Sequence, residues 1–305
     1  YTAIDLNRAG VPLLEIVSEP DMHSSDEAFA YITELRKLVT WLGICDGNME
    51  EGSMRCDANI SIRLKGETKL GTRVEVKNLN SIRNVKRAID VEVERLIGLV
   101  ESKQTIIQET RSYNADNNST FSLRSKEDAD DYRYFPEPDL SPFHITDDYL
   151  VQIKNKLPVL PGALKQRYIT EFKLSDYDAA VLCDDKAQAA YFEAVIKHTD
   201  HYKAVANWML GPVKSHLNDS NITYETFTLP AGKLAALISL VETGKLNFGI
   251  ASSKVLAALL LQPEKEPLQL ATELNVLQES DSSSIEQWVD EAIAKMPDKV
   301  KEYKS

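Results

Sequence analysis

An α+β protein is predicted from three observations: two strictly alternating stretches joined by a turn, long helical stripes on either side of them, and a change to helices alone in the second half of the chain. From Met54 to Leu64, Met54, Cys56, Ala58, Ile60, Ile62 and Leu64 alternate with Arg55, Asp57, Asn59, Ser61 and Arg63, which is the period of a half-buried strand. The run Arg73–Leu79 alternates too, with Val74 and Val76 apolar and Arg73, Glu75 and Lys77 polar, and Lys65-Gly66-Glu67-Thr68 supplies a turn. The prediction is a hairpin within an antiparallel sheet that helices pack against.

The other elements follow in chain order. Tyr1–Leu6 reads as a strand, Asn7–Gly10 as a turn, and Val11–Val17, nearly all apolar, as a buried strand. Ser24 with Glu27 three residues on forms a capping box, so a helix should start there, run through Ala28, Tyr31, Ile32, Leu35, Leu38, Val39 and Leu42, stop at Gly43 and pack on the sheet. Asn80-Ser81 caps a second helix with the stripe Ile82, Val85, Ile89, Val93, Leu96, Ile97 and Val100. Gln108–Ser112 and Thr120–Arg124 read as a second hairpin. Asp130–Phe143 carries three prolines and four aromatics, which excludes a helix and leaves either an extended segment over the sheet or a substrate-facing loop.

From Asp147 only helices are expected, with Pro161 in a first turn and Ser175-Asp176 and Asp184-Asp185 as N-caps. Tyr191, Val195 and His198, and Val205, Trp208, Met209 and Val213, suit a small bundle. His198 and His201 are read as ordinary packing or surface histidines, because Thr199 and Asp200 break the helix between them. Thr226–Pro230 reads as a linker to three further helices over 230–244, 250–261 and 267–274, and Ser283-Ser284-Ile285-Glu286 as a capping box before a last one. Three domains are expected, at 1–152, 153–227 and 228–305.

Composition excludes several classes. A net charge of −12 argues against non-specific nucleic-acid binding by the whole surface, though not against a local basic patch. Three separated cysteines support neither a disulfide framework nor a cysteine zinc site, and no apolar run reaches the length of a membrane span. A cytoplasmic protein with no membrane role is expected. The chain opens on Tyr1 inside an apolar run and closes inside a helical pattern, so it reads as a piece of a longer polypeptide.

If the hairpin forms, its polar face gathers Asp57, Glu75 and Asn59 with Arg55 and Lys77, and Glu50 and Glu51 stand at its entrance. Oxygen ligands for a hard cation beside cations for phosphate are what a nucleotide site needs. A solvated outer sheet face has the same composition, and opposite charges on adjacent strands also pair as plain salt bridges.

Longer strings carry a resemblance. Asp5-Leu6-Asn7-Arg8-Ala9-Gly10-Val11-Pro12-Leu13-Leu14-Glu15-Ile16-Val17-Ser18-Glu19-Pro20-Asp21, the stretch Met49–Ser61, Val74–Ser81 and Asp131–Leu140 together resemble the family of the B subunit of the tRNA-dependent aspartyl/glutamyl amidotransferase. The resemblance implies a cradle domain of antiparallel sheet and helices, then a helical and a tail domain. It implies ATP and Mg²⁺ as cofactors and phosphorylation of the side-chain carboxylate of Glu or Asp misacylated on tRNA. Ammonia from an amidase partner, the A subunit, would then displace the phosphate, with a small C subunit completing the complex. The family begins upstream of Tyr1 with a Glu-x-His element and extends beyond Ser305, so the kinase site is expected to be incomplete here.

With the hairpin, this makes Glu75, Asp57 and Lys77 the expected catalytic residues, Arg55, Lys77 and Asn59 the expected nucleotide contacts, and Glu75, Asp57, Glu50 and Glu51 the expected Mg²⁺ ligands. Lys77 and Arg55 are expected on phosphate oxygens rather than in structural salt bridges. Lys233, Lys245 and Lys254 in the tail are the expected contacts to tRNA. The alternative is a tRNA-binding and scaffolding module without catalytic residues.

Overall fold

A computed structural model describes residues 11–125, 141, 144–278, 290–291 and 293–296. The chain divides into two compact units, 1–157 and 158–305.

In the first unit the fold class is the expected α+β. Helix α1 (Ser25–Trp41) begins where the capping box places it, with Ser24 Oγ accepting from the Glu27 amide, and ends ahead of Gly43, which takes a φ of 69°. Strands β1 (Cys56–Ile60) and β2 (Val74–Leu79) pair antiparallel, Asn59 opposite Glu75 and Ala58 opposite Val76. Helix α2 (Ile82–Glu101) is capped by Ser81. Strands β3 (Glu109–Asn114) and β4 (Ser119–Ser125) form the second antiparallel hairpin.

The sheet departs from expectation at its centre. Its order is β1-β2-β3-β4, and β2 pairs with β3 in parallel, so the sheet is mixed rather than antiparallel throughout. The cause is α2: a twenty-residue helix crosses over between the two strands and returns the chain in its original direction, as a βαβ unit does. That crossover lays α2 on the sheet, while α1 packs chiefly on α2 and is joined to it by an ion pair between Lys86 and Asp26. The shared core holds Ile32, Met49, Ala58, Ile60, Val74, Val76, Val85, Ala88, Leu96 and Tyr113. Val74, Val76, Ala88 and Leu96 have no exposed surface, whereas Ile97 and Val100, expected in the same helical stripe, are exposed.

A second expectation fails at residues 11–17. This run forms no strand, and Val11, Leu13, Leu14, Ile16 and Val17 are all exposed among the described residues. An apolar run becomes a buried strand only where a neighbouring edge and a covering layer receive it, which composition does not report. Residues 1–10, the proline-aromatic segment apart from Ser141, and the 283–286 capping box lie outside the described residues.

The second unit is helical: α4 (Pro161–Thr170), α5 (Asp176–Leu182), α6 (Lys186–Val195), α7 (Tyr202–Trp208), α8 (Lys214–Ser220), α9 (Ala231–Glu242), α10 (Phe248–Ile250), α11 (Leu256–Leu261) and α12 (Pro267–Glu273), with α3 (Asp147–Lys156) before it in the first unit. Ser175 and Asp185 cap α5 and α6 as expected, and Pro161 opens α4. Met209–Val213 joins α7 to α8 as a π-helical turn containing Pro212, which has no amide to donate, and the Met209 carbonyl accepts from the Tyr224 hydroxyl at 3.0 Å. Across the expected linker, Tyr191 on α6 donates to the Leu229 carbonyl at 3.0 Å and stacks edge-on against Phe227. Helix α9 packs on α6 and α7. No described helix is long and apolar enough to cross a membrane.

Candidate functional site

The polar face of the β1–β2 hairpin is built by alternation. Because Ala58, Ile60, Val74 and Val76 turn into the core, Asp57, Asn59, Glu75 and Lys77 must point the other way. The connection between the strands is kept close by Gly71: a Cβ there would lie 2.1 Å from the Ile62 carbonyl oxygen, a distance no other side chain permits. The expected turn is present, with Gly66 at a φ of 98° and Arg63 Nη1 donating to the Thr68 carbonyl at 2.9 Å.

Three expected residues meet on this face. The Lys77 ammonium lies 3.1 Å from Asp57 Oδ2 and 3.4 Å from Glu75 Oε1. Its hydrogen bond to Asp57 raises its pKa above the ordinary lysine range; burial acts against this, and the charges of Asp57 and Glu75 add to it. Lys77 is therefore an ion-pair partner of both carboxylates, contrary to the expectation that it would stand apart from them. The reason is reach: Asp57 lies across on β1, where facing Cβ atoms are about 5 Å apart, and Glu75 lies two residues away on the same face of β2, both within a lysine stem. Arg55, just before β1, and Asn59, near its end, are exposed and have no side-chain hydrogen bond to another described residue.

One partner was not foreseen. Thr110 on β3 donates its hydroxyl to Glu75 Oε2 at 2.8 Å and is itself 1% exposed. Its place beside Glu75 comes from the parallel β2–β3 register, Glu75 opposite Thr110 and Lys77 opposite Ser112. The strand-helix-strand order around α2 is compatible with this register, but the adjacency of β2 and β3 that fixes it is a tertiary contact.

Glu50 and Glu51 sit on a loop of fixed shape. Asp46 accepts from the Asn48 amide at 2.8 Å and from Ser53 Oγ at 3.2 Å, and these bonds lower its pKa; Asn48 Oδ1 accepts from the Glu50 and Glu51 amides, and Met49 anchors the loop in the core. Both glutamates are exposed. Among the described residues no group of three or more His, Cys, Asp or Glu is placed to hold a metal ion. The Asp57–Glu75 pair still suits Mg²⁺, which commonly takes one or two carboxylates and fills its other positions with water and substrate phosphates. Burial, with the neighbouring charge of Asp57, pushes the Cys56 thiol up to about 11.

The tail lysines separate into two kinds. Lys233 is held internally: its ammonium pairs with Glu266 at 2.6 Å and donates to the carbonyls of Lys265 and Glu264, which leaves its side chain 18% exposed. Lys245 and Lys254 are exposed. His198 and His201 are exposed and separated by the break between α6 and α7, as expected.

The sheet face carries two carboxylates joined by one lysine, and comparison with known proteins gives the family. Residues 1–151 match the GatB/GatE catalytic domain, and residues 190–305 match the GatB domain. The chain is 46% identical over 311 residues to a protein of Paraburkholderia xenovorans (strain LB400) named as the B subunit of aspartyl/glutamyl-tRNA(Asn/Gln) amidotransferase. It is 45% identical to proteins of the same name from Janthinobacterium sp. (strain Marseille) and Pelagibacter ubique (strain HTCC1062). All of this chain is covered in each case, and it spans 63%, 63% and 62% of those relatives' lengths. The chain belongs to the GatB/GatE family.

Proposed function

We propose that the protein of which this chain forms the matched part is one component of a cytoplasmic tRNA-dependent amidotransferase. It uses ATP and Mg²⁺ to phosphorylate the side-chain carboxylate of Glu-tRNA(Gln) or Asp-tRNA(Asn). Ammonia released by a glutaminase partner, the A subunit, in a complex that also holds a small C subunit, then gives Gln-tRNA(Gln) or Asn-tRNA(Asn). The observation that carries this reading is the convergence of Asp57, Glu75 and Lys77 on one sheet face, in a chain whose relatives bear the amidotransferase name.

The chemistry explains the residue types. A carboxylate resists attack by ammonia until one of its oxygens becomes a leaving group. Transfer of the γ-phosphoryl group breaks its bond to the ADP oxygen and forms the bond to the substrate carboxylate oxygen. Ammonia then forms the C–N bond as phosphate departs and a proton is lost. Phosphoryl transfer asks the protein for positioning and for charge compensation rather than covalent participation. Asp57 and Glu75 would hold the Mg²⁺, which supplies charge neutralisation for the phosphates when bound. Lys77 offers donors to phosphate oxygens, as would the exposed Arg55 and Asn59, and Thr110 fixes the Glu75 rotamer. In the tail, Lys245 and Lys254 are the exposed cations for tRNA phosphates.

In the assembled full-length complex, Glu75→Gln is expected to abolish ATP-dependent activation of misacylated tRNA while the partner's glutaminase activity persists. Phosphorylation at the unsubstituted rate would overturn the assignment. A scaffolding reading draws on the same ion pairs, since Asp57, Glu75 and Lys77 neutralise one another. It predicts that Glu75→Gln weakens tRNA binding or assembly and leaves phosphorylation intact.

A further inference from the structure

The Lys77 ammonium takes the place between two carboxylates that a divalent cation would take, 3.1 Å from Asp57 Oδ2 and 3.4 Å from Glu75 Oε1. The three side chains differ in their freedom. Glu75 is held from the far side, because Thr110 donates to its other oxygen at 2.8 Å and only 17% of its side chain is exposed. Asp57 is 45% exposed and Lys77 38%. A lysine head on a flexible four-carbon stem can leave such a contact for solvent without moving the strand beneath it. The carboxylate frame is therefore the more fixed part, and the cation within it is the replaceable part.

We infer that Lys77 is a resident counter-ion that exchanges with the divalent cation. Without nucleotide, its ammonium neutralises Asp57 and Glu75 and keeps two like charges together on an open face. When the metal-nucleotide arrives, the carboxylate oxygens pass to the metal and the ammonium turns to the phosphate oxygens that arrive with it. The exchange rests on the reading of this face as the phosphoryl-transfer site, and it removes the conflict between Lys77 as ion-pair partner and Lys77 as phosphate ligand. A permanent strut would have the opposite signature. Removing a strut disorders the carboxylates and weakens metal binding, whereas removing a competitor strengthens it.

The test is calorimetric titration of Mg²⁺ into the nucleotide-free full-length protein in its assembled complex, followed by a non-hydrolysable ATP analogue with Mg²⁺. Lys77→Met is expected to bind Mg²⁺ about three- to tenfold more tightly than the unsubstituted chain, the range set by losing one solvent-exposed competing charge. The same variant is expected to bind the metal-nucleotide more weakly. Lys77→Arg, which keeps the charge, is expected to stay near the unsubstituted Mg²⁺ affinity. Equal or weaker Mg²⁺ binding by Lys77→Met, with binding by the unsubstituted chain intact, overturns the exchange and leaves the site assignment standing. Absence of Mg²⁺ binding in both overturns the site assignment together with the exchange. Should Lys77→Met fail to fold by circular dichroism, Lys77→Gln carries the same expectation and the same refutation.

Discussion

The two faces of the sheet both carry a charge cluster, and the clusters are of opposite kinds. On the face under α2, Glu92 has no exposed surface and is bonded by Arg95, by Thr120 Oγ1 at 2.7 Å and by Arg111 Nε at 3.4 Å. Arg111 is also bonded to Glu109 at 2.7 Å and to the Thr120 carbonyl at 2.8 Å. There the charges are enclosed and each has several partners, so none can move without stranding another. On the open face, Asp57, Glu75 and Lys77 share fewer contacts, and two of the three are more than a third exposed. Enclosure makes an ionic cluster a structural joint between α2, β3 and β4, while exposure makes one exchangeable, which a binding face requires.

The comparison breaks most visibly at Glu92. Glu92→Ala removes the buried carboxylate shared by Arg95, Arg111 and Thr120, leaving the two arginines with Glu109 as their common carboxylate, and is expected to lower the unfolding free energy by about 3 kcal/mol, measured by denaturant titration. Glu75→Gln should do the reverse, losing activation in the complex while changing stability by only about 1 kcal/mol. If Glu75→Gln unfolds the chain as Glu92→Ala does, the two faces are not different in kind.

Acid should find the enclosed cluster next. Burial alone would raise the Glu109 pKa, but hydrogen bonds from Ser122 and Arg111 and the charges of Arg111 and Arg95 bring it below the usual carboxylate value. A depressed folded-state pKa contributes stability that is present above the unfolded value and lost as pH falls through the folded one. Melting temperature should therefore drop as pH falls through and below the carboxylate range, and Glu109→Gln should flatten that slope. Lys77 has the opposite sign: its raised pKa contributes stability below the ordinary lysine range that is lost only at strongly alkaline pH. Its exposure keeps the effect small, so Lys77→Ala should shift stability by no more than about 1 kcal/mol while weakening ATP binding.

The smallest effects belong to the tail. Lys233→Ala should loosen the contact between α9 and the 264–266 segment, seen as faster amide exchange in that segment. Lys245→Ala and Lys254→Ala should leave exchange unchanged and reduce the salt dependence of tRNA binding by the full-length protein. A salt dependence unchanged in both would remove them as phosphate contacts.

Much of this was legible in the residues. The caps Ser24, Ser81, Ser175 and Asp185 start helices where their hydrogen bonds predict, because capping is a contact between residues three apart. Alternation placed Asp57, Glu75 and Lys77 on one face for the same reason: which side a strand residue points to is decided by its immediate neighbours. Residues 11–17 have the pattern of a buried strand and lie exposed, because burial needs a partner elsewhere in the chain.

By itself, then, the sequence determined the helix boundaries, the hairpin and the set of polar residues on its outer side, all consequences of interactions within a few residues. Only the tertiary structure decided that β3 runs parallel to β2, and hence that Thr110 holds Glu75. It alone placed Glu92 inside and Lys77 between two carboxylates. Those outcomes depend on how α2 folds back over the sheet, a long-range packing choice in which residues far apart in the chain compete for the same neighbours.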